Sequence, residues 1–229
     1  MAILITAATA LEMRAYHEAG GKADRTLRLL TGIGPTETAL SLTSMLQQQA
    51  GAIELVLNFG IAGAYPAGGA GLLDLCAAEE EVLGDLGICL PERIARFADQ
   101  GLSAPDRFPL APQLRQQAEL ALQQAGMTCK TGVFVTVNCA SGTSQRAAML
   151  GRQFQGLCEN MEGAAAARVC GHFGLPCLEL RCISNMAGEA EKSRWRLPEA
   201  CARAGQAAAV VVDLLLLKDA ASRHPSDQS

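Results

Sequence analysis

Two hydrophobic patterns alternate along this chain of 229 residues. Short, continuously apolar runs are typical of buried strands, and they predict strands over residues 2–7, 26–33, 55–59, 72–78, 131–137 and 176–183. Apolar residues at helical spacing predict helices over residues 35–49, 112–125, 144–154, 162–173 and 198–217. Strands and helices therefore follow each other over most of the sequence.

This alternation predicts an α/β fold. Strands that are apolar throughout are buried on both faces, which is typical of a largely parallel central sheet flanked by helices on both faces. The chain is long enough to bury its own core, so we expect a single domain over residues 1–217 and a disordered tail over residues 218–229. The segment 80–109 is rich in proline, glycine and charge, and we expect it to form a long irregular loop over the site.

Two apolar segments resemble export or membrane signals at first sight. The segment 1–14 has no basic region before its apolar part and carries Glu12 and Arg14 directly after it, so we interpret it as the first strand. The segment 207–217 is 11 residues long and contains Asp213, which makes it too short to span a bilayer. We therefore expect no membrane partner and a cytoplasmic location.

The composition argues against several other classes of partner and site. The net charge is −4 and the 19 basic residues are dispersed, so we expect no nucleic-acid partner. The nine cysteines never occur as Cys-x-x-Cys and lie mostly in apolar surroundings, which is typical of reduced thiols. His17, His172 and His224 are far apart in sequence, so no metal site is expected.

Two glycine-rich stretches depart from known nucleotide-binding motifs. Gly32 and Gly34 begin a dinucleotide fingerprint, but Glu37 stands where the third glycine is required, so tight packing explains them better. The glycines between residues 60 and 71 lack the Gly-Lys-Ser/Thr of a P-loop. For these, a close approach of the backbone to a ligand and a series of turns are equally consistent. No cofactor is expected.

Polar residues at the ends of predicted strands are the candidates for chemistry, because ligands of α/β sheets bind there. They are Glu12, Glu162, Arg181 and Asn185. Each has a structural explanation of its own: Glu162 as a favourable charge in the first turn of a helix, Glu12 as a surface carboxylate and Asn185 as a turn former. Their convergence on one edge of the sheet instead predicts a ligand site.

Three motifs resemble the purine nucleoside phosphorylase/nucleosidase superfamily: NFGIAGAY at 58–65, ENMEGAAAARVC at 159–170 and LRCISN at 180–185. The resemblance extends from residue 2 to about residue 217. Within the superfamily, the segments 79–88, 136–143 and 181–200 most resemble the futalosine hydrolase family. The resemblance implies a nucleoside phosphorylase-like fold and an enzyme of the alternative menaquinone pathway that releases hypoxanthine from futalosine.

The resemblance also implies roles for individual residues. Cleavage of an N-glycosidic bond develops positive charge on the ribose and negative charge on the departing base. By resemblance, Glu162 binds the ribose hydroxyls with Met161 beneath the sugar, and Glu12 activates a water molecule that Arg181 helps to orient. The other residues of the implied substrate pocket are Asn138, Phe59, Ile61 and Trp195. Lys192, Arg194 and Trp195 are candidates to meet the distal benzoate end of futalosine.

Asn185 bears on the identity of the base. Related methylthioadenosine nucleosidases have an aspartate at this position. Hypoxanthine presents two acceptors, O6 and N7, to which an amide NH₂ can donate, whereas an ionised carboxylate would repel both. Asn185 therefore favours a 6-oxopurine, although an asparagine can also pair with N6 and N7 of adenine.

Other functions stay open at this point. Ile61 offers no hydrogen bond to phosphate, which favours water as the nucleophile over phosphate. A 6-oxopurine nucleoside phosphorylase, a methylthioadenosine/S-adenosylhomocysteine-type nucleosidase and a non-catalytic nucleoside-binding module remain as alternatives. The expected partner is a small nucleoside, and relatives usually pair subunits near the site, so we also expect a homodimer or higher homo-oligomer.

Overall fold

The computed structural model describes residues 2–22 and 25–223, and the described residues form ten strands and six α-helices. The strands are β1 (Ile3–Ala7), β2 (Thr26–Leu30), β3 (Leu55–Ala64), β4 (Leu75–Leu83), β5 (Gly87–Cys89), β6 (Ile94–Arg96), β7 (Arg107–Pro109), β8 (Cys129–Thr136), β9 (Gly156–Asn160) and β10 (Cys177–Met186). The helices are α1 (Ala10–Glu18), α2 (Pro35–Gln48), α3 (Pro112–Gln124), α4 (Ser144–Phe154), α5 (Gly163–Phe173) and α6 (Leu197–Arg223).

Eight of the strands form one sheet that closes on itself. β3 pairs with β10 and β9, β10 with β4, and β4 and β9 with β8, so that these five strands make a ring. β1 and β2 extend the sheet from β3, and β7 pairs with β4. The pairings β10–β4, β3–β9 and β4–β7 are antiparallel and the others are parallel.

The sheet is therefore mixed, and the prediction of a largely parallel sheet is not confirmed. Two groups of parallel strands, β2–β1–β3–β10 and β4–β8–β9, run in opposite directions and meet at two antiparallel seams. A continuous apolar run shows that a strand is buried on both faces, but it carries no information on the direction of its neighbours. The direction is decided by which strands pair in the folded chain.

Helices cover both faces of the sheet, as predicted. Along β1, Ile3 and Ile5 pack into the core beneath α1, α3 and α6, whereas Leu4 packs into the core beneath α2 and α5. This alternation follows from the period of two in a strand. α6 is apolar and long enough to cross a membrane over Leu197–Ala220, but 61% of its most apolar window is buried inside the protein, as expected for a core helix.

Two predicted boundaries differ from the structure. The segment 80–109 is not a loop without secondary structure: it contains the end of β4, the hairpin β5–β6 and β7, and none of its residues lines the cavity described below. The last helix continues to Arg223, six residues past the predicted end of the domain at 217. The rest of the predicted tail, residues 224–229 with His224, lies outside the described residues.

Candidate active site

A cavity of about 460 Å³ lies where residues that follow β1, β8 and β9 meet the carboxyl-terminal halves of β3 and β10. Seven of the nine predicted site residues line it: Glu12, Ile61, Met161, Glu162, Arg181, Asn185 and Trp195. The convergence expected from the strand ends is therefore present in the fold. Among the described residues, no group of three His, Cys, Asp or Glu side chains is arranged to hold a metal ion.

Glu12 is held in place by the start of α1. Thr9 caps this helix and Glu12 is its third residue, so the two form a capping box. Oε2 of Glu12 accepts hydrogen bonds from the Thr9 amide (2.9 Å) and the Thr9 hydroxyl (2.7 Å), and Oε1 accepts one from the amide of Ile61 (3.1 Å). A side chain at Gly60 would collide with Oε1, so this glycine permits the contact. Three donors thus fix one carboxylate at the cavity wall.

Arg181 is buried at the base of the cavity and is fully occupied by acceptors. Its Nε donates to Oε1 of Glu179 (2.9 Å), and its Nη1 donates to Oε2 of Glu162 (3.2 Å) and to the carbonyl of Ile61 (3.3 Å). The second oxygen of Glu162 accepts from the amide of Gly34 (3.0 Å). Arg181 therefore binds Glu162 directly and is linked to Glu12 through the backbone of Ile61. It holds the Glu162 carboxylate toward the cavity.

Gly34, which the sequence analysis attributed to tight packing, contacts a side chain of the site. Its backbone has φ +92°, a left-handed conformation that glycine adopts at little cost. This conformation precedes α2 and turns the Gly34 amide to the carboxylate of Glu162. The close approach of backbone to a functional side chain, rather than packing alone, accounts for Gly34.

Asn160 is a central residue of the site that sequence reasoning missed. Its Oδ1 accepts from the backbone amides of Glu162 (2.9 Å) and Gly163 (2.7 Å), which open α5 and have no partner within the helix. Its Nδ2 donates to Oε1 of Glu81 (2.6 Å). Asn160 therefore fixes the helix start that presents Glu162. Its position directly before the Met161–Glu162 motif was the available signal.

Beneath Arg181 lie two further buried carboxyl groups, Glu81 and Glu179. Both abut Gly163, where a Cβ would collide with each of them. Burial raises the pKa of Glu81 well above its ordinary value, and the charge of Glu179 raises it further. Burial also raises the pKa of Glu179, although the adjacent Arg181 lowers it. The raised pKa of Glu81 therefore favours its protonated form, and the neighbouring Arg181 favours the ionised form of Glu179.

This assignment predicts the effect of pH on stability. A glutamate with a raised pKa binds a proton in the folded state that the unfolded chain releases above about pH 4.3, so stability falls as the pH rises. We expect Glu81→Gln to remove this dependence and to raise the Tm at pH 7 by roughly 3 °C or more. The amide can donate to Glu179 and to the hydroxyl of Thr136, which then donates to Asn160.

The measurement is the Tm of wild type and Glu81→Gln between pH 5 and pH 8. Glu92→Gln is the matched control, because Glu92 is exposed. A Tm of Glu81→Gln that falls with pH as steeply as that of the wild type would show that Glu81 is ionised in the folded protein.

The amide of Asn185 has a defined orientation. A bulge at Ser184 shifts the register of β10, so that Asn185 lies opposite Gly63 of β3. The Ser184 hydroxyl donates to Oδ1 of Asn185 (2.8 Å), and Nδ2 donates to the carbonyl of Met186 (3.1 Å). An amide nitrogen carries two hydrogens, so one remains to donate into the cavity. Asn185 thus keeps a hydrogen-bond donor for a ligand.

Of the three residues predicted to meet the distal end of the substrate, two line the cavity and one does not. Lys192 and Trp195 line the cavity, and the indole of Trp195 is held by a hydrogen bond to the carbonyl of Glu189 (3.0 Å). Arg194 does not line it: its side chain is exposed and pairs with Glu189 (3.1 Å) and Glu191 (3.0 Å). Lys192 is therefore the basic residue of this loop that faces the cavity.

Two predicted substrate residues, Phe59 and Asn138, do not line the cavity. Phe59 lies on the same face of β3 as Leu57 and packs in the core against Tyr16, with ring centroids 5.8 Å apart. Asn138 is exposed, and both its backbone amide (2.8 Å) and its side chain (3.3 Å) donate to Asp85. Phe59 precedes the cavity-lining residues 61–63 of β3 and lies deeper in the core, and a surface contact holds Asn138 outside.

Comparison with known proteins identifies relatives of this arrangement. The family model of the Phosphorylase superfamily matches residues 12–217. The futalosine hydrolase of Thermus thermophilus is 38% identical over 202 residues, which cover 86% of this chain and 84% of that protein. The futalosine hydrolase of Streptomyces coelicolor is 34% identical over 178 residues, covering 76% and 73%. A futalosine hydrolase mutant of Helicobacter pylori has the same fold, with a TM-score of 0.81, 22% identity and coverage of 93% of this chain and 99% of that one.

Proposed function

This chain belongs to the Phosphorylase superfamily, and from that membership and its site we propose that it hydrolyses the N-glycosidic bond of futalosine and releases hypoxanthine. The observation that carries the proposal is the set of side chains around one cavity. An oriented carboxylate, Glu12, lies near the buried pair Arg181–Glu162, and Asn185 presents an amide donor. These are the groups that separation of charge across a glycosidic bond requires.

Each group has one role in the reaction. Glu12 accepts a proton from the attacking water, since its carboxylate is held at the cavity by three donors. Glu162 binds the ribose hydroxyls and stabilises the cation that develops on the sugar, with Met161 against the ring. Asn185 donates to the departing base, where negative charge develops.

Water is a better candidate for the nucleophile than phosphate. Among the described lining residues the cationic side chains are Arg181 and Lys192, and Arg181 is already bound to Glu179, Glu162 and the carbonyl of Ile61. Ile61 itself offers an apolar side chain. A phosphate dianion would therefore meet the carboxylates of Glu12 and Glu162 and no free guanidinium at this end of the cavity.

We expect the purified protein to release hypoxanthine from futalosine in phosphate-free buffer. The experiment separates the products of futalosine, inosine and methylthioadenosine by chromatography, each with and without phosphate. Formation of a ribose 1-phosphate or an absolute need for phosphate would indicate a phosphorylase. Adenine as the preferred product would indicate a methylthioadenosine-type nucleosidase, and binding without turnover would indicate a nucleoside-binding module.

The proposal extends to assembly and location. Leu11 and Ile33 line the cavity, and 47% and 61% of their respective surfaces are exposed, so a second copy of the chain that covers them would shield the site from water. All nine cysteines are free, as in a reducing compartment, which supports a cytoplasmic enzyme.

A further inference from the structure

Three neighbouring strands place Glu159, Gly63 and Asn185 in one row across the sheet. Gly63 of β3 is the register partner of Glu159 on β9 and of Asn185 on β10. Residues in register project to the same face of a sheet. A Cβ at Gly63 would lie 3.1 Å from Nδ2 of Asn185 and 3.5 Å from Cγ of Glu159. The absent side chain thus leaves a slot in the cavity wall between an amide and a carboxylate.

The carboxylate of Glu159 is buried, with 5% of its surface exposed, and it lines the same cavity. Oε1 accepts from the Ser141 amide (2.7 Å) and Oε2 from the Ser141 hydroxyl (2.6 Å). A carboxylate has about four acceptor positions, and the buried hydroxyl of Tyr65 also lies beside this group, so one position remains for a ligand. The roles proposed above do not use this group, and no ion pair joins it to a cation among the described residues. A buried carboxylate of this kind is costly unless further donors reach it.

We propose that Glu159 accepts the N1–H of a 6-oxopurine base while the remaining hydrogen of the Asn185 amide is shared between its O6 and N7. The inference rests on the proposed function and names the residue that selects the base. Along this edge hypoxanthine presents two acceptors, N7 and O6, and then a donor, N1–H. The acceptors match the Asn185 amide, and the donor matches the Glu159 carboxylate. Adenine carries a lone pair at N1, which the carboxylate repels. Glu159 therefore supplies the discrimination that Asn185 lacks by itself, since an asparagine can pair with either base.

Direct binding of the free bases tests this inference without turnover. We expect isothermal titration calorimetry to show wild type binding hypoxanthine at least 10-fold more tightly than adenine. Glu159→Gln should narrow this ratio by roughly 10- to 100-fold, the loss expected for a charge-assisted hydrogen bond, because its amide can donate to N1 of adenine. Ser141→Ala is the matched control: it removes a donor to Glu159 but keeps the carboxylate, so the ratio should stay.

The outcomes separate recognition of the base from support of the loop that carries Ser141. If Glu159 only anchors this loop, Glu159→Gln weakens both bases equally and the ratio is unchanged, which overturns the inference. A second measurement needs no variant: 1-methylhypoxanthine lacks the N1–H and should bind wild type at least 10-fold more weakly than hypoxanthine. Equal binding of the two would also overturn it. Failure of the proposed function shows differently, as the absence of hypoxanthine release from futalosine by wild type.

Discussion

Glu12→Gln is expected to lower kcat for hypoxanthine release by about 10²-fold or more, the usual contribution of a general base. Glutamine cannot take a proton from water. Its amide can keep the capping box with Thr9, because glutamine is also accepted at this position of the motif. Its NH₂ would then face the amide of Ile61, which donates to Oε1 in the wild type, so one hydrogen bond is lost. The fold should survive this change, whereas the chemistry should not.

The measurement is kcat and KM for futalosine in phosphate-free buffer, with the Tm as a check on folding. Glu18→Gln is the matched control, since Glu18 is an exposed residue at the end of the same helix. Turnover of Glu12→Gln close to that of the control would assign Glu12 to helix capping alone.

Asn185→Asp should reduce hypoxanthine release by roughly 10²- to 10³-fold at neutral pH, the cost of losing one preorganised donor to developing charge. An aspartate with an ordinary pKa of about 3.9 is ionised there and opposes O6 and N7 of the base with a negative charge. The carboxylate would also face the carbonyl of Met186, to which the Asn185 amide donates. Adenine nucleosides lack O6, and a protonated aspartate can serve their N7 as an acid, so their cleavage should suffer less as the pH falls.

The test compares hypoxanthine and adenine release from matched nucleosides between pH 5 and pH 8 for both proteins. Asn138→Asp serves as the control, because Asn138 is an exposed amide outside the cavity. If Asn185→Asp leaves the ratio of the two products unchanged at every pH, Asn185 is a turn former and the donor to the base must be sought elsewhere.

The site residues that the sequence did not predict are those whose hydrogen-bond partners lie far along the chain. Glu159, Asn160 and Glu179 lie within or beside the recognised motifs, but their roles come from contacts with residues far along the chain. Asn160 bonds Glu81 across 79 positions, and Glu159 bonds Ser141 across 18. A glutamate within an apolar strand signals an unusual burial, as at Glu179, but it does not reveal which charge accompanies it.

The amino-acid sequence was enough to predict the alternation of strands and helices, the covering of both sheet faces and the convergence of Glu12, Glu162, Arg181 and Asn185. These properties depend on periodicity, capping and strand ends, which are local. The direction of the strands, the closure of the ring and the row that joins Asn185 to Gly63 and Glu159 could be read only from the folded chain. That row depends on pairing between distant strands and on the bulge at Ser184, and a shift of one residue would turn each side chain to the opposite face.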